Sequence, residues 1–174
     1  MNNLTIIIPA WQAEKYIEEA VATVRSQSWD GKREIIVCDD GSTDQTASKA
    51  EELGCKVLRL EHGGAAKARN AGLEAAAYDY VYFLDADDRV AEQGLEKLIR
   101  AMEETGADAV FGKAEDFISE ELTAEQKAGL APRTGSYGGV LPGCALLKKR
   151  IFAQTGVFDG SLKSGETVAW MMPI

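Results

Sequence analysis

Two short acidic runs carry the first chemical signal in this chain: Asp39-Asp40-Gly41 and Asp85-Ala86-Asp87-Asp88, each directly after an apolar run. At neighbouring strand ends, partly desolvated, such carboxylates repel one another by on the order of several kcal/mol, so a cation is expected between them. Carboxylate oxygens with no nearby Cys or His suit Mg2+ or Mn2+. Both ions commonly bridge a protein carboxylate to the oxygens of a phosphate, which makes a phosphate-bearing ligand the expectation. The competing reading is that these residues cap helices and line turns, and for Asp44 the two stay open.

The elements around these runs must place them together. Leu4-Thr5-Ile6-Ile7-Ile8 reads as a buried strand, and Ile17, Ala20, Val21 and Val24 then recur at helical spacing along a helix starting near Ala13. Glu34 to Cys38 makes a second strand; Ser42 or Thr43 can cap a helix through Leu53, with Gly54 as its left-handed stop. Strands at Lys56 to Leu60, Tyr78 to Leu84 and Ala107 to Phe111 alternate with helices at about Ala65 to Ala77 and Glu92 to Thr105. The strands lack polar–apolar alternation, so both sheet faces are covered and the sheet is mainly parallel. In such α/β sheets ligands bind beyond the carboxyl ends of the strands, where Trp11, Asp40 and Asp87 fall. Past Gly112 the rhythm fails. The stretch from Lys113 to Gly139 is polar and reads as a mobile crossing over the site with one short helix near Thr123 to Ala128.

The chain has 174 residues, 45% hydrophobic and 27% charged, a balance that excludes disordered and fibrous classes and predicts one domain over residues 1–174. A net charge of -9 argues against nucleic acid and anionic membrane surfaces as partners. Three scattered cysteines, Cys38, Cys55 and Cys144, have no metal-ligand spacing and read as plain buried thiols in a reducing compartment. Met1-Asn2-Asn3 lacks a basic start and the apolar run after it stops at Pro9, so no secretory leader or transmembrane segment is expected. The expected location is cytoplasmic, free or peripheral at the inner face of the membrane.

Four ordered segments, Ile6 to Gln12, Ile36 to Asp44, Gly63 to Gly72 and Phe83 to Asp88, together resemble the family 2 glycosyltransferases of GT-A fold. The resemblance covers the chain from its start to about Arg89, and more loosely Cys144 to Trp170. It implies an inverting, metal-dependent transfer of a sugar from a nucleoside diphosphate donor, with a UDP-sugar foremost, to an acceptor hydroxyl in surface polysaccharide or glycoconjugate synthesis. The donor-binding half would be residues 1–112 and the acceptor-side half 113–174.

Carried over by position, Trp11 stands where the family usually has a Tyr that stacks on the donor base, with Pro9 shaping the turn and Gln12 in place of the usual Asn. Asp40 matches the acceptor of a uracil N–H. Gly63-Gly64 offers free backbone N–H groups to the diphosphate, with Lys67 and Arg69 as nearby positive charge. Asp87 is the expected ligand of Mn2+ or Mg2+, Asp85 contacts the ribose or a metal-bound water, and Asp88 assists either. His62 matches a variable position and receives no catalytic part. Glu166 is the expected general base, with Thr167 where the family commonly has Asp; Asp159 is its rival. Gly139 to Leu147 resembles the lining of the acceptor pocket without identifying a glycan, lipid-linked or protein acceptor. The chain ends at Ile174, where family members usually continue with further acceptor-side helices. A truncated nucleotide-sugar-binding module without transferase activity is therefore the second reading, and a homodimer is left open. Receiver domains also place an acidic pair after a parallel strand but lack the second acidic triplet and the Gly-Gly helix start.

Overall fold

The computed structural model describes residues 3–120, 122–138 and 142–162. Its main sheet has six strands in the order β3-β2-β1-β4-β8-β5. The first half supplies β1 (Leu4–Ala10), α1 (Ile17–Arg25), β2 (Arg33–Asp39), α2 (Thr46–Glu52), β3 (Lys56–Arg59), α3 (Ala65–Ala75), β4 (Tyr80–Phe83), α4 (Gly94–Thr105) and β5 (Ala109–Phe111). After these come β6 (Lys113–Ala114), α5 (Ala124–Ala128), β7 (Tyr137–Gly138), β8 (Ala145–Lys148) and α6 (Phe152–Thr155).

β1 is buried at every position and pairs in parallel with β2 and β4, which explains its unbroken apolar run. Its side chains feed two cores. Ile6 and Ile8 meet Val21, Val24, Leu95 and Met102 on the α1/α4 side, whereas Ile7 joins Leu73, Phe83, Leu147 and Phe158 on the other. Each such fully buried side chain contributes roughly 1.5–3 kcal/mol. Gly72 lets α3 approach the sheet closely: a Cβ there would lie 2.3 Å from Ile7 Cγ2 and 2.8 Å from Cys38 Sγ. The helix that carries Arg69 is thereby seated on β1 and β2.

The strand at Ala107 to Phe111 was expected to extend the parallel run, yet β5 does not touch β4. β8 lies between them, antiparallel to both, with Leu146 opposite Tyr82 on one side and Val110 on the other. Ala145, Leu146 and Leu147 are buried there, so this apolar run fills a central slot and draws the later segment into the sheet. The sheet remains mainly parallel. β6 and β7 form a separate antiparallel ribbon. All three cysteines are free, and burial pushes the Cys38 thiol up to about 12. Among the described residues no helix is long and apolar enough to cross a membrane.

Candidate functional site

The turn after β1 is held by a side chain rather than by its own backbone. Gln12 has a left-handed backbone, φ 51°, uncommon for a residue with a Cβ. Its Oε1 accepts from the Thr43 and Asp44 N–H groups at 3.0 and 3.2 Å, its Nε2 donates to Thr43 Oγ1, and its backbone N–H donates to Ser42 Oγ. Ser42 and Thr43 therefore do not cap α2, contrary to expectation, because their hydroxyls are spent on Gln12. Asp44 takes the turn-holding part: its Oδ1 accepts from the Thr46 N–H at 2.9 Å and its Oδ2 from Glu14. Thr46 Oγ1 in turn accepts from the Ala13 N–H, and residues 14–16 form a turn, so α1 begins at Ile17 instead of near Ala13.

Asp40, directly after β2, is 3% exposed. Its Oδ1 accepts from the Gly63 N–H and its Oδ2 from the Gly64 N–H, both at 2.8 Å. The two glycine N–H groups are thus engaged, a correction to the expectation that they stand free for a diphosphate; a buried carboxylate requires donors, and these are the nearest. His62 Nδ1 lies 2.9 Å from Asp40 Oδ2, and its ring stacks on Trp11 with centroids 4.9 Å apart. Trp11 itself is 57% exposed.

Arg69 on α3 is buried, and its Nη2 lies 2.7 Å from Asp85 Oδ1. This charged hydrogen bond ties α3 to the loop after β4. Pro9, Trp11, Asp40, Arg69, Asp85 and Asp87 all line one cleft of about 300 Å³, with Gln12 and Tyr16 beside them. Lys67, expected near the same ligand, instead lines a separate cavity with Leu73, Lys149 and Phe152. Asp88 lines the neighbouring cleft instead, and desolvation, then the charges of Asp85 and Asp87, push its carboxyl up to about 6.

Among the described residues Arg69 is the one cation lining the cleft, against the carboxylates of Asp40, Asp85 and Asp87. An anionic diphosphate entering it would be repelled without a further positive charge. Among the described residues no three His, Cys, Asp or Glu side chains converge as a metal cage. The donor set is nevertheless hard oxygen alone, which fits a Mg2+- or Mn2+-like ion held by one or two carboxylates and completed by ligand phosphate.

A second cleft of about 420 Å³ adjoins the first through Tyr16, Asp85 and Asp87. The crossing after β6 forms its far wall with Glu115, Asp116, Phe117 and Tyr137. Arg89 pairs with Glu19 at 2.8 Å while its guanidinium lies 4.3 Å over the Phe117 ring. Gly143 and Cys144, in the segment expected to line an acceptor pocket, also border this cleft. Glu166 and Thr167 lie outside the described residues. Asp159 is exposed and lines neither cleft; the side chain of Ser161, and after it the Ser161 N–H at 2.8 Å, hold its carboxyl below the usual range. Sequence reasoning did not name Tyr16, gave His62 no catalytic part without placing it against Trp11 and Asp40, and understated Gln12. Only the adjacency of Gln12 to Trp11 and of His62 to Gly63 could have pointed to the last two.

Residues 5–156 match Glycosyl transferase family 2. GlyG, a glycosyltransferase of Streptococcus pneumoniae, is 29% identical over 90% of this chain and 60% of its own length. TarS of Staphylococcus aureus, a poly(ribitol-phosphate) beta-N-acetylglucosaminyltransferase, is 33% identical over 65% of this chain and 21% of its own. The crystal structure of TarS 1–349 in complex with UDP-GlcNAc superposes with a TM-score of 0.77 at 25% identity, over 97% of this chain and 52% of that one. Mannosyltransferase PcManGT from Pyrobaculum calidifontis, in complex with GDP-Man and Mn2+, shares the fold at a TM-score of 0.72 and 18% identity, over 94% of this chain and 49% of that one. The chain thus spans about three-fifths or less of the length of these relatives. Its mainly parallel sheet is the GT-A fold, and the chain belongs to glycosyl transferase family 2.

Proposed function

We propose that the cleft at the ends of β1, β2 and β4 holds a nucleoside diphosphate sugar, with UDP as its nucleotide. The sugar passes with inversion to a hydroxyl of a glycan, lipid-linked or protein acceptor during surface polysaccharide or glycoconjugate assembly. The observation that carries this reading is the convergence of residues from four separate sequence segments on one cleft. UDP-GlcNAc in the TarS structure and Mn2+ in that of PcManGT support the ligand class.

Each residue has a part in this reading. Trp11 offers an indole face to the base. Asp40 accepts from Gly63 on Oδ1 and from Gly64 on Oδ2, with His62 Nδ1 close against Oδ2, and the remaining lone pair on Oδ1 accepts the uracil N–H. Arg69 orients Asp85 and brings positive charge toward the diphosphate. Asp87, with Asp85 beside it, holds the divalent cation, which when bound offsets the charge that grows on the departing diphosphate. The second cleft receives the acceptor, and Glu166 takes the proton of its hydroxyl.

Titration calorimetry with UDP, GDP, ADP and CDP, with and without Mn2+, tests the binding half; UDP is expected to bind best and only weakly without Mn2+. Release of UDP from UDP-sugars by slow hydrolysis tests the chemistry, since water can replace the acceptor. Glu166→Gln is expected to slow that release about 10²–10⁴-fold with UDP affinity unchanged. A parent protein that binds no nucleoside diphosphate sinks the reading. One that binds but never releases UDP leaves only the binding module.

A further inference from the structure

We propose that His62 is a positioning residue for the nucleobase end of the cleft, holding Trp11 and Asp40 in one arrangement. This rests on the reading of the cleft as a nucleotide-sugar site. One imidazole touches both groups assigned to the base. Its Nδ1 is 2.9 Å from Asp40 Oδ2 and 3.1 Å from the Asp40 carbonyl oxygen, and its ring stacks on the indole at an interplanar angle of 29°. Gly41 makes this approach possible: it has φ +73°, and a Cβ there would lie 2.9 Å from the His62 backbone N. A side chain in that place would push His62 away from Asp40.

The physical consequence lies in order before binding. Trp11 is 57% exposed on a turn, and an indole so placed loses rotamer freedom when a base stacks on it. With one face against His62, much of that freedom is already lost and the opposite face is offered in a set direction. The same imidazole is hydrogen-bonded to the Asp40 carbonyl oxygen and lies against Oδ2, so it closes one side of the carboxylate that Gly63 and Gly64 hold and leaves Oδ1 facing the cleft end.

The test uses the chain with Trp29→Phe and Trp170→Phe, which leaves Trp11 as the sole tryptophan of three. Acrylamide quenching of its emission is read in the free protein, and UDP affinity in the presence of Mn2+. His62→Ala is expected to raise the quenching constant and to weaken UDP about 3- to 10-fold, the range set by freeing one immobilised side chain. His62→Gln retains the N–H donor to Asp40, and His62→Phe retains the ring; each is expected to recover part of the loss. If His62→Ala alters only the melting temperature, leaving quenching and UDP affinity at parent values, the role is structural and the proposal is overturned. If the parent binds no UDP, the nucleotide reading falls by itself. Quenching then decides: a rise in His62→Ala upholds the seating of Trp11, and no change overturns it.

Discussion

The donor cleft and the crossing between residues 113 and 138 are both loop-built, but they are held in opposite ways. At the donor end, apart from the local turn of Asp44 with Thr46, the fixing contacts join distant segments: Gln12 to Thr43 and Asp44, Asp40 to Gly63 and Gly64, Arg69 to Asp85, and Asn70 to the backbone of Phe158. Behind them stands β1, buried at every position. In the crossing no described residue is buried, and its bonds close on itself: Asp116 with Arg133 and Tyr137, Thr123 with Gln126 in a capping box, Lys127 with Glu120. Among the described residues, the guanidinium of Arg89 over Phe117 ties it to the rest. Contacts of the first kind form only when the whole domain folds, so the donor end shares the global stability. Contacts of the second kind can open alone.

The largest effect that separates the two regions is electrostatic. Asp87→Asn is expected to cost at least about 100-fold in Mn2+-dependent UDP affinity, whereas Asp116→Asn in the crossing leaves that affinity unchanged. The free Asp87→Asn protein should melt at the parent temperature or slightly above it, since one like charge leaves the cluster and Asp88 titrates lower than about 6. Calorimetry and thermal melts read both. Equal losses in the two variants would mean that the crossing is part of the donor site.

A smaller effect tests the mechanical half of the comparison. Gln12→Ala removes the bonds that pin the Trp11 turn to the loop after β2 and is expected to lower global stability by about 1 kcal/mol. Thr123→Ala removes a helix cap of nominally similar worth. It caps a five-residue helix that buries nothing, so denaturant unfolding should not register it. Hydrogen exchange would show faster opening confined to residues near α5. Gln12→Asn, whose side chain tolerates a left-handed backbone better, should fall between parent and Gln12→Ala. If Thr123→Ala shifts the global transition as far as Gln12→Ala does, the crossing is coupled to the core.

The same contrast explains what could be read from the sequence. Ile6 to Ile8, Ile35 to Cys38 and the spacing of Ile17, Ala20, Val21 and Val24 declare their burial because an apolar run or a helical period is a local property. The acidic runs were legible because the strand ends that carry them were. The place of Ala145 to Lys148 was not legible, since a four-residue strand has too little pattern to say which neighbours it takes. Nor could sequence show that Asp40 would claim the N–H groups of Gly63 and Gly64, a contact between segments over twenty residues apart. Lys67 and Arg69 look alike as charges, and only the seating of α3 through Gly72 turns one into the cleft and the other away.

The smallest expected effect concerns pH and the ribbon. The hydroxyl of Tyr137, and after it the N–H of Arg133, donate to Asp116 and hold its carboxyl below the usual carboxylate range. The same bond raises the Tyr137 phenol above its ordinary value. A depressed carboxyl adds stability that is fully present above its unfolded value, about 3.9, and is lost as pH falls through the lowered one. A raised phenol adds stability that is present below about 10 and is lost as pH rises through its folded value. The pairing of β6 with β7 should therefore hold constant between about pH 4 and pH 10. The Arg133 amide resonance is expected to shift only below that window and tyrosine absorbance only above it. Asp116 is exposed, so screening keeps the contribution small, and because the crossing closes on itself the global melt should not follow either titration. A melting temperature that tracks Asp116 protonation, and ceases to do so in Asp116→Asn, would show that the ribbon braces the sheet after all.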